Sequence, residues 1–129
     1  MGKNLKQTAT FKATPHEVYE TLMDEKKHAA FLGGEAKISR KVGGKFVLYG
    51  GDFDGKNIEL VPDQKIVQTW RYNDWPEGHY STVTYLLDPT AKGTRLIFTQ
   101  TDIPDDKFED IKQGWIDYYW TPMKQVFAK

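Results

Sequence analysis

Cysteine is absent from the chain. That excludes disulfides, a thiolate nucleophile and every zinc site built on sulfur. It also fits a reducing compartment, so a cytoplasmic location is expected. Net charge is missing too: Lys and Arg number 18, Asp and Glu 18, with three His beside them. Nucleic-acid binding by counterion release needs a positive surplus on one face, and a polybasic membrane anchor needs a basic cluster, so neither partner is expected. No apolar run approaches the ~18 residues of a transmembrane helix. Met1-Gly2-Lys3-Asn4-Leu5-Lys6 lacks the apolar stretch of a signal peptide, and position 6 is Lys where a myristoylation motif has Ser or Thr.

Motifs that carry chemistry are also missing. His16, His28 and His79 do not have metal-ligand spacing. His16 falls in the first turn of a helix, where a positive charge opposes the helix dipole. Asp52-Phe53-Asp54-Gly55 imitates half a calcium loop without its terminal Glu, and reads as a glycine turn. Val42-Gly43-Gly44-Lys45-Phe46 lacks the spacer of a P-loop and has Phe where magnesium needs a hydroxyl. Ser39 and Ser81 lack a nucleophile elbow. Asp105-Asp106 and Glu109-Asp110 suit a helix N-terminus rather than an acid/base pair. No catalytic set, metal or cofactor is expected.

What is there is aromatic: four Trp, seven Tyr and seven Phe in 129 residues. Rings of that size dominate a core, a pocket or an interface. The length suits one domain, residues 1–129, able to bury a core without staples. Residues 4–13 read as a first strand. Thr14-Pro15-His16-Glu17 opens a helix through a capping box. Asp24-Glu25 caps a second short helix, ended by Gly33-Gly34. Strand patterns follow at 35–40, 45–49, 56–61, 65–72, 79–87 and 94–101, with 73–78 and 88–93 as loops. From Phe108 to Val126 the apolar period becomes helical, and Pro122 should kink that helix or unwind it locally. The fold class is therefore α+β, a curved antiparallel sheet of about seven strands around a long C-terminal helix, with two short helices after strand 1.

Alternation along the strands assigns an inward face. It carries Ile66, Trp70, Val83, Tyr85, Leu87, Leu96, Phe98, Phe46 and Leu48 together with polar Gln68, Ser81 and Gln100. Apolar walls with sparse polar groups describe a small-ligand pocket. They equally describe a filled core whose polar groups bond to one another, to backbone or to buried water, and both readings stay open. On the last helix Ile111, Trp115 and Tyr119 make the seam to bury, while Ile116, Trp120 and Phe127 sit to one side. The candidate ligand-binding set is Gln68, Trp70, Ser81, Val83, Tyr85, Phe98, Gln100, Trp115 and Tyr119.

Ile66-Val67-Gln68-Thr69-Trp70-Arg71-Tyr72 and Trp75-Pro76-Glu77-Gly78-His79 make the chain recognisable. With Gly43-Gly44-Lys45-Phe46, Leu60-Val61-Pro62 and Gln113-Gly114-Trp115-x-x-Tyr118-Tyr119, it resembles the C-terminal domain of the activator of the heat-shock protein 90 ATPase and its lone-domain homologues. The resemblance runs from about Lys6 to Phe127 and implies a START-like, Bet v 1-like helix-grip fold. The full-length co-chaperone has a separate N-terminal domain that contacts the chaperone, and this chain is expected to lack it. The resemblance implies a non-catalytic binding domain, since some START-like relatives hold apolar molecules between sheet and helix. Three functions follow as expectations: binding an apolar or aromatic small molecule; associating with a heat-shock protein 90-type chaperone through Trp75, Glu77 and His79; or, behind these, a cyclase or hydrolase, which would need a buried carboxylate or His in the pocket.

Overall fold

The computed structural model describes residues 2–128. Seven strands form one antiparallel sheet: β1 (Lys3–Phe11), β2 (Ala36–Ile38), β3 (Lys45–Leu48), β4 (Phe53–Val61), β5 (Lys65–Tyr72), β6 (Ser81–Thr90) and β7 (Gly93–Ile103). Their order is β1-β7-β6-β5-β4-β3-β2, a meander from β2 to β7 with β1 added against β7. Helices α1 (Pro15–Met23) and α2 (Glu25–Leu32) carry the chain from one sheet edge to the other. After β7 a 3-10 turn leads into α3 (Phe108–Trp115), a π-helical turn (Ile116–Trp120) and α4 (Thr121–Phe127), which together form the C-terminal helix. This is the α+β helix-grip architecture. No helix among the described residues is long and apolar enough to cross a membrane.

Local chemistry explains the short helices. The Thr14 hydroxyl accepts from Glu17 N at 3.1 Å, and the Glu17 carboxylate accepts from Thr14 N at 3.0 Å, a closed capping box. The Asp24 carboxylate accepts from Lys27 N at 2.9 Å and starts α2. Gly33 ends α2 in the left-handed region, φ 77°.

Several boundaries differ from the sequence reading, each for a local reason. The 88–93 loop shrinks to Ala91-Lys92, because Asp88, Pro89 and Thr90 stay paired with Arg95, Thr94 and Gly93. The strand expected over 35–40 is only Ala36–Ile38, and the one expected from 79 begins at Ser81. Asp52-Phe53-Asp54-Gly55 is not a turn as a whole: β4 already begins at Phe53. Gly55 is a strand residue, and a Cβ there would lie 1.8 Å from the Thr69 carbonyl oxygen. Its role is close backbone approach across β4 and β5. The effect of Pro122 appears one turn early. Lacking an N–H, it leaves the Tyr118 carbonyl without its usual partner, and the Thr121 N–H reaches five residues back to Ile116 O.

The core lies between the concave sheet face and the helix. In β5, β6 and β7 burial alternates, with Ile66, Gln68 and Trp70, then Ser81, Val83, Tyr85 and Leu87, then Leu96, Phe98 and Gln100 turned inward. Register places Tyr85 opposite Phe98, Trp70 opposite Ser81 and Val83 opposite both Gln68 and Gln100. Trp115 is 3% exposed and packs its ring 4.3 Å from that of Phe98 and 5.4 Å from Trp70. Trp120, set to one side in the helical period, is also buried, and its Nε1 donates to Gln7 Oε1 at 2.7 Å.

Candidate functional site

A groove of about 500 Å³ opens between α3 with the following π turn and the β3–β5 end of the sheet. Its floor and walls are rings: Phe53, Trp70 and Tyr72 from the sheet, Trp75 from the loop after β5, Trp115 and Tyr119 from the helix. Tyr49 and Tyr118 flank the opening, and Tyr118 is 59% exposed. The sheet-side rings pack in a row, with Phe53 stacked 4.7 Å from Tyr72 and tilted against Trp70 at 5.0 Å. Gly114 faces the same space from the helix, and a Cβ there would meet only Tyr118 Cδ2, at 4.0 Å. At the rim stand Asp52, Asp74, Asp110 and Lys107. Lys107 Nζ donates to Asp74 Oδ2 at 2.8 Å, which holds the ammonium above its usual pKa.

Behind the groove the wall is packed solid by a polar relay. Trp115 Nε1 donates to Gln100 Oε1 at 2.7 Å, Gln100 Nε2 donates to Ser81 Oγ at 2.7 Å, and Ser81 Oγ donates to the Trp70 carbonyl at 3.1 Å. Gln68 Nε2 donates to Asn57 Oδ1 at 3.0 Å. These buried amides and hydroxyl are therefore satisfied within the protein. Two buried donors are not: Trp70 Nε1 and Trp75 Nε1 have no partner among the described residues.

A second, much smaller space, about 10 Å³, lies deeper beneath α1 and α2. His28, Gln68, Trp70, Tyr85 and Tyr119 line it. His28 sits in an outwardly polar helix, yet it is 5% exposed. Its Nδ1 lies 2.9 Å from the Leu22 carbonyl and its Nε2 2.9 Å from Tyr119 Oη. The only consistent pattern has Nδ1–H donating to the carbonyl and Nε2 accepting from the tyrosine. Burial pushes the His28 pKa down to about 4 and the Tyr119 and Tyr85 hydroxyls up. Trp70 and Tyr119 thus join the two spaces, lining both.

The structure sorts the expected ligand-binding residues into layers. Trp70, Trp115 and Tyr119 line the groove; Gln68 and Tyr85 line the small space; Ser81, Val83, Phe98 and Gln100 line neither and form the packed layer behind. Of the loop residues expected to meet a partner, Glu77 is exposed, while Trp75 turns inward against Trp70, rings 5.4 Å apart. His79 Nε2 lies 2.8 Å from the Asp102 carbonyl, and Arg71 Nη2 donates to the Trp75 carbonyl at 2.6 Å. Sequence reasoning missed Phe53, Gly114, Tyr118 and His28. Gly114 carried a usable signal, a glycine inside an otherwise periodic helix. Phe53 did not, because the glycines around it mimic a turn.

Among the described residues no group of three or more His, Asp or Glu is disposed to hold a metal ion. The family model described as activator of Hsp90 ATPase homolog 1-like protein matches residues 12–128. An activator of 90 kDa heat shock protein ATPase homolog from Dictyostelium discoideum is 39% identical over 127 residues, 98% of this chain and 33% of that protein. The homolog 1 from Homo sapiens is 35% identical over 119 residues, 92% of this chain and 35% of that protein. The chain thus spans about a third of the length of these relatives. The crystal structure of an Hsp90 activator from Plasmodium falciparum superimposes with a TM-score of 0.89 at 28% identity, covering 98% of this chain and 97% of that one. The solution structure of an Aha1 dimer from Colwellia psychrerythraea shares the fold, TM-score 0.83 at 18% identity, covering 97% and 96%.

Proposed function

We propose that this chain, which belongs to the activator of Hsp90 ATPase homolog 1-like family, works by recognition rather than by bond-making. Its site is the aromatic groove, which holds an apolar or aromatic small molecule against Trp70, Trp115 and Tyr119. Gly114 carries the argument. A glycine inside a helix costs about 0.5–1 kcal/mol relative to alanine. Here no packing neighbour demands it, since a Cβ would meet nothing nearer than 4.0 Å. What the glycine preserves is open space facing a wall of rings. The volume, about 500 Å³, falls in the range of small-molecule sites, roughly 300–1,000 Å³. The unpaired indole N–H groups of Trp70 and Trp75 are buried within that wall, so the surface it offers a guest is the apolar ring. Gln68 and Tyr85 support the wall from the small inner space, and Ser81, Val83, Phe98 and Gln100 fix it from behind.

The test is a fluorescence titration with neutral N-phenyl-1-naphthylamine. The native chain is expected to enhance the probe, and Gly114→Leu, which projects a side chain into the groove while leaving the core alone, to lose most of that signal. Absence of enhancement in the native chain, or the same enhancement in Gly114→Leu, would sink the reading.

A second reading is favoured by the relatives named as Hsp90 ATPase activators, which match nearly the whole chain. In it the domain associates with a chaperone of the heat-shock protein 90 type, in a cytoplasmic setting that suits the cysteine-free sequence. The loop 73–80 is the contact, with Glu77 exposed at its tip and Trp75 and His79 bracing it. Co-purification with the chaperone, weakened by Glu77→Lys, and altered ATP turnover are expected. Neither association nor any change in turnover would remove this reading.

A further inference from the structure

The rim of the groove bears an excess of negative charge. Its charged lining residues are Asp52, Asp74 and Asp110 against a single Lys107. Lys107 is already held by Asp74 at 2.8 Å. Asp52 accepts one neutral hydrogen bond, from Asn73 Nδ2 at 3.1 Å. Asp52 and Asp110 are exposed beside the opening. The concavity near the C-terminal end of the helix has the opposite border, with Lys12, Lys92, Arg95 and Lys124. The two concavities therefore carry net charge of opposite sign, and the aromatic groove is the negative one.

Rings and carboxylates favour the same kind of guest. The face of an aromatic ring carries negative potential and attracts a cation held within about 6 Å of its centre. Phe53, Tyr72 and Trp70 line the groove with such rings, Tyr118 stands exposed beside the opening, and the aspartates lie at the rim. Among the described residues no group of three or more His, Asp or Glu is disposed to hold a metal ion, and the ring wall suits the apolar body of an organic cation. An anionic amphiphile such as a fatty acid would bring its carboxylate toward Asp52 and Asp110 and be repelled.

We propose that the groove selects small aromatic or apolar molecules that carry a positive charge, the apolar body lying on the rings and the ammonium group facing Asp52 and Asp110. This rests on the groove being a small-molecule site, as argued above. It adds the charge of the ligand, which the apolar walls alone do not specify.

Three probes with one ring system separate the two claims: 1-naphthylmethylamine, 1-naphthylmethanol and 1-naphthoate. Each is titrated at low salt into the native chain and into Asp52→Asn/Asp110→Asn, both exposed positions that leave the Asp74–Lys107 pair intact. The amine is expected to bind about tenfold more tightly than the alcohol, about 1.4 kcal/mol, with the acid weakest. That preference should shrink in added salt, which screens exposed charge, and largely disappear in the double variant. Equal binding of all three probes would overturn the charge selection and leave the groove as a site. A preference for the amine that survives in the double variant would overturn the role given to the two aspartates. No binding of any probe would overturn both claims.

Discussion

The indole N–H of Trp115, on the C-terminal helix, donates to the side-chain carbonyl of Gln100, on β7, at 2.7 Å, with both residues buried. This bond ties helix to sheet with a fixed direction that ring packing alone lacks. Gln100→Leu keeps the volume but leaves the indole donor unmet and removes the donor to Ser81 Oγ, which still donates to the Trp70 carbonyl. A buried polar group so orphaned costs about 1–3 kcal/mol. Urea unfolding should show a lower midpoint with an unchanged slope. A midpoint equal to that of the native chain would mean that the bond holds nothing.

His28 makes stability depend on pH. Its folded pKa is pushed down to about 4, well below the ordinary imidazole value, because burial disfavours the charged ring more than the Leu22 carbonyl favours it. The neutral form belongs to the folded state, so the unfolded chain binds the extra proton. The contribution of His28 is complete above about pH 6.5 and is lost as pH falls toward 4, by about 3 kcal/mol at ~1.4 kcal/mol per pH unit. Unfolding free energies between pH 7.5 and 4 should therefore fall less steeply in His28→Gln than in the native chain. Parallel curves would contradict the assignment.

Two glycines should respond in opposite directions. Gly114→Ala adds a methyl group into open space and a better helix former, so thermal unfolding should shift upward by an amount matching about 0.5–1 kcal/mol. Gly55→Ala drives a Cβ to 1.8 Å from the Thr69 carbonyl oxygen, and should destabilise by about 1–3 kcal/mol or more. If Gly114→Ala lowered the melting temperature, the space facing that glycine would not be open.

Much of the architecture was legible in the residues. Thr14 and Glu17 announced α1, and the alternation through Val83, Tyr85 and Leu87 announced the inward face of β6. Trp115 could be placed in the core because its helical period set it with Ile111 and Tyr119. What the sequence did not reveal was depth. Val83, Phe98 and Trp70 share one face by period, but only Trp70 borders the groove, since that depends on sheet curvature and helix offset. His28 was hidden by its polar neighbours Lys26 and Lys27, though it packs on Tyr119 across 91 positions of sequence. The filled-core and open-pocket alternatives both describe part of the interior. The Gln100–Ser81 layer is solid, and the space lies in front of it.

The four tryptophan side chains test the central claim directly, because three of them line the groove and Trp120 instead bonds Gln7 on β1. In a 1H–15N spectrum each indole gives its own N–H signal. Titration with 1-naphthylmethylamine should move the signals of Trp70, Trp75 and Trp115 in proportion to occupancy while that of Trp120 stays in place. Four stationary signals at saturating probe, or a Trp120 shift as large as the others, would contradict a recognition site at the groove.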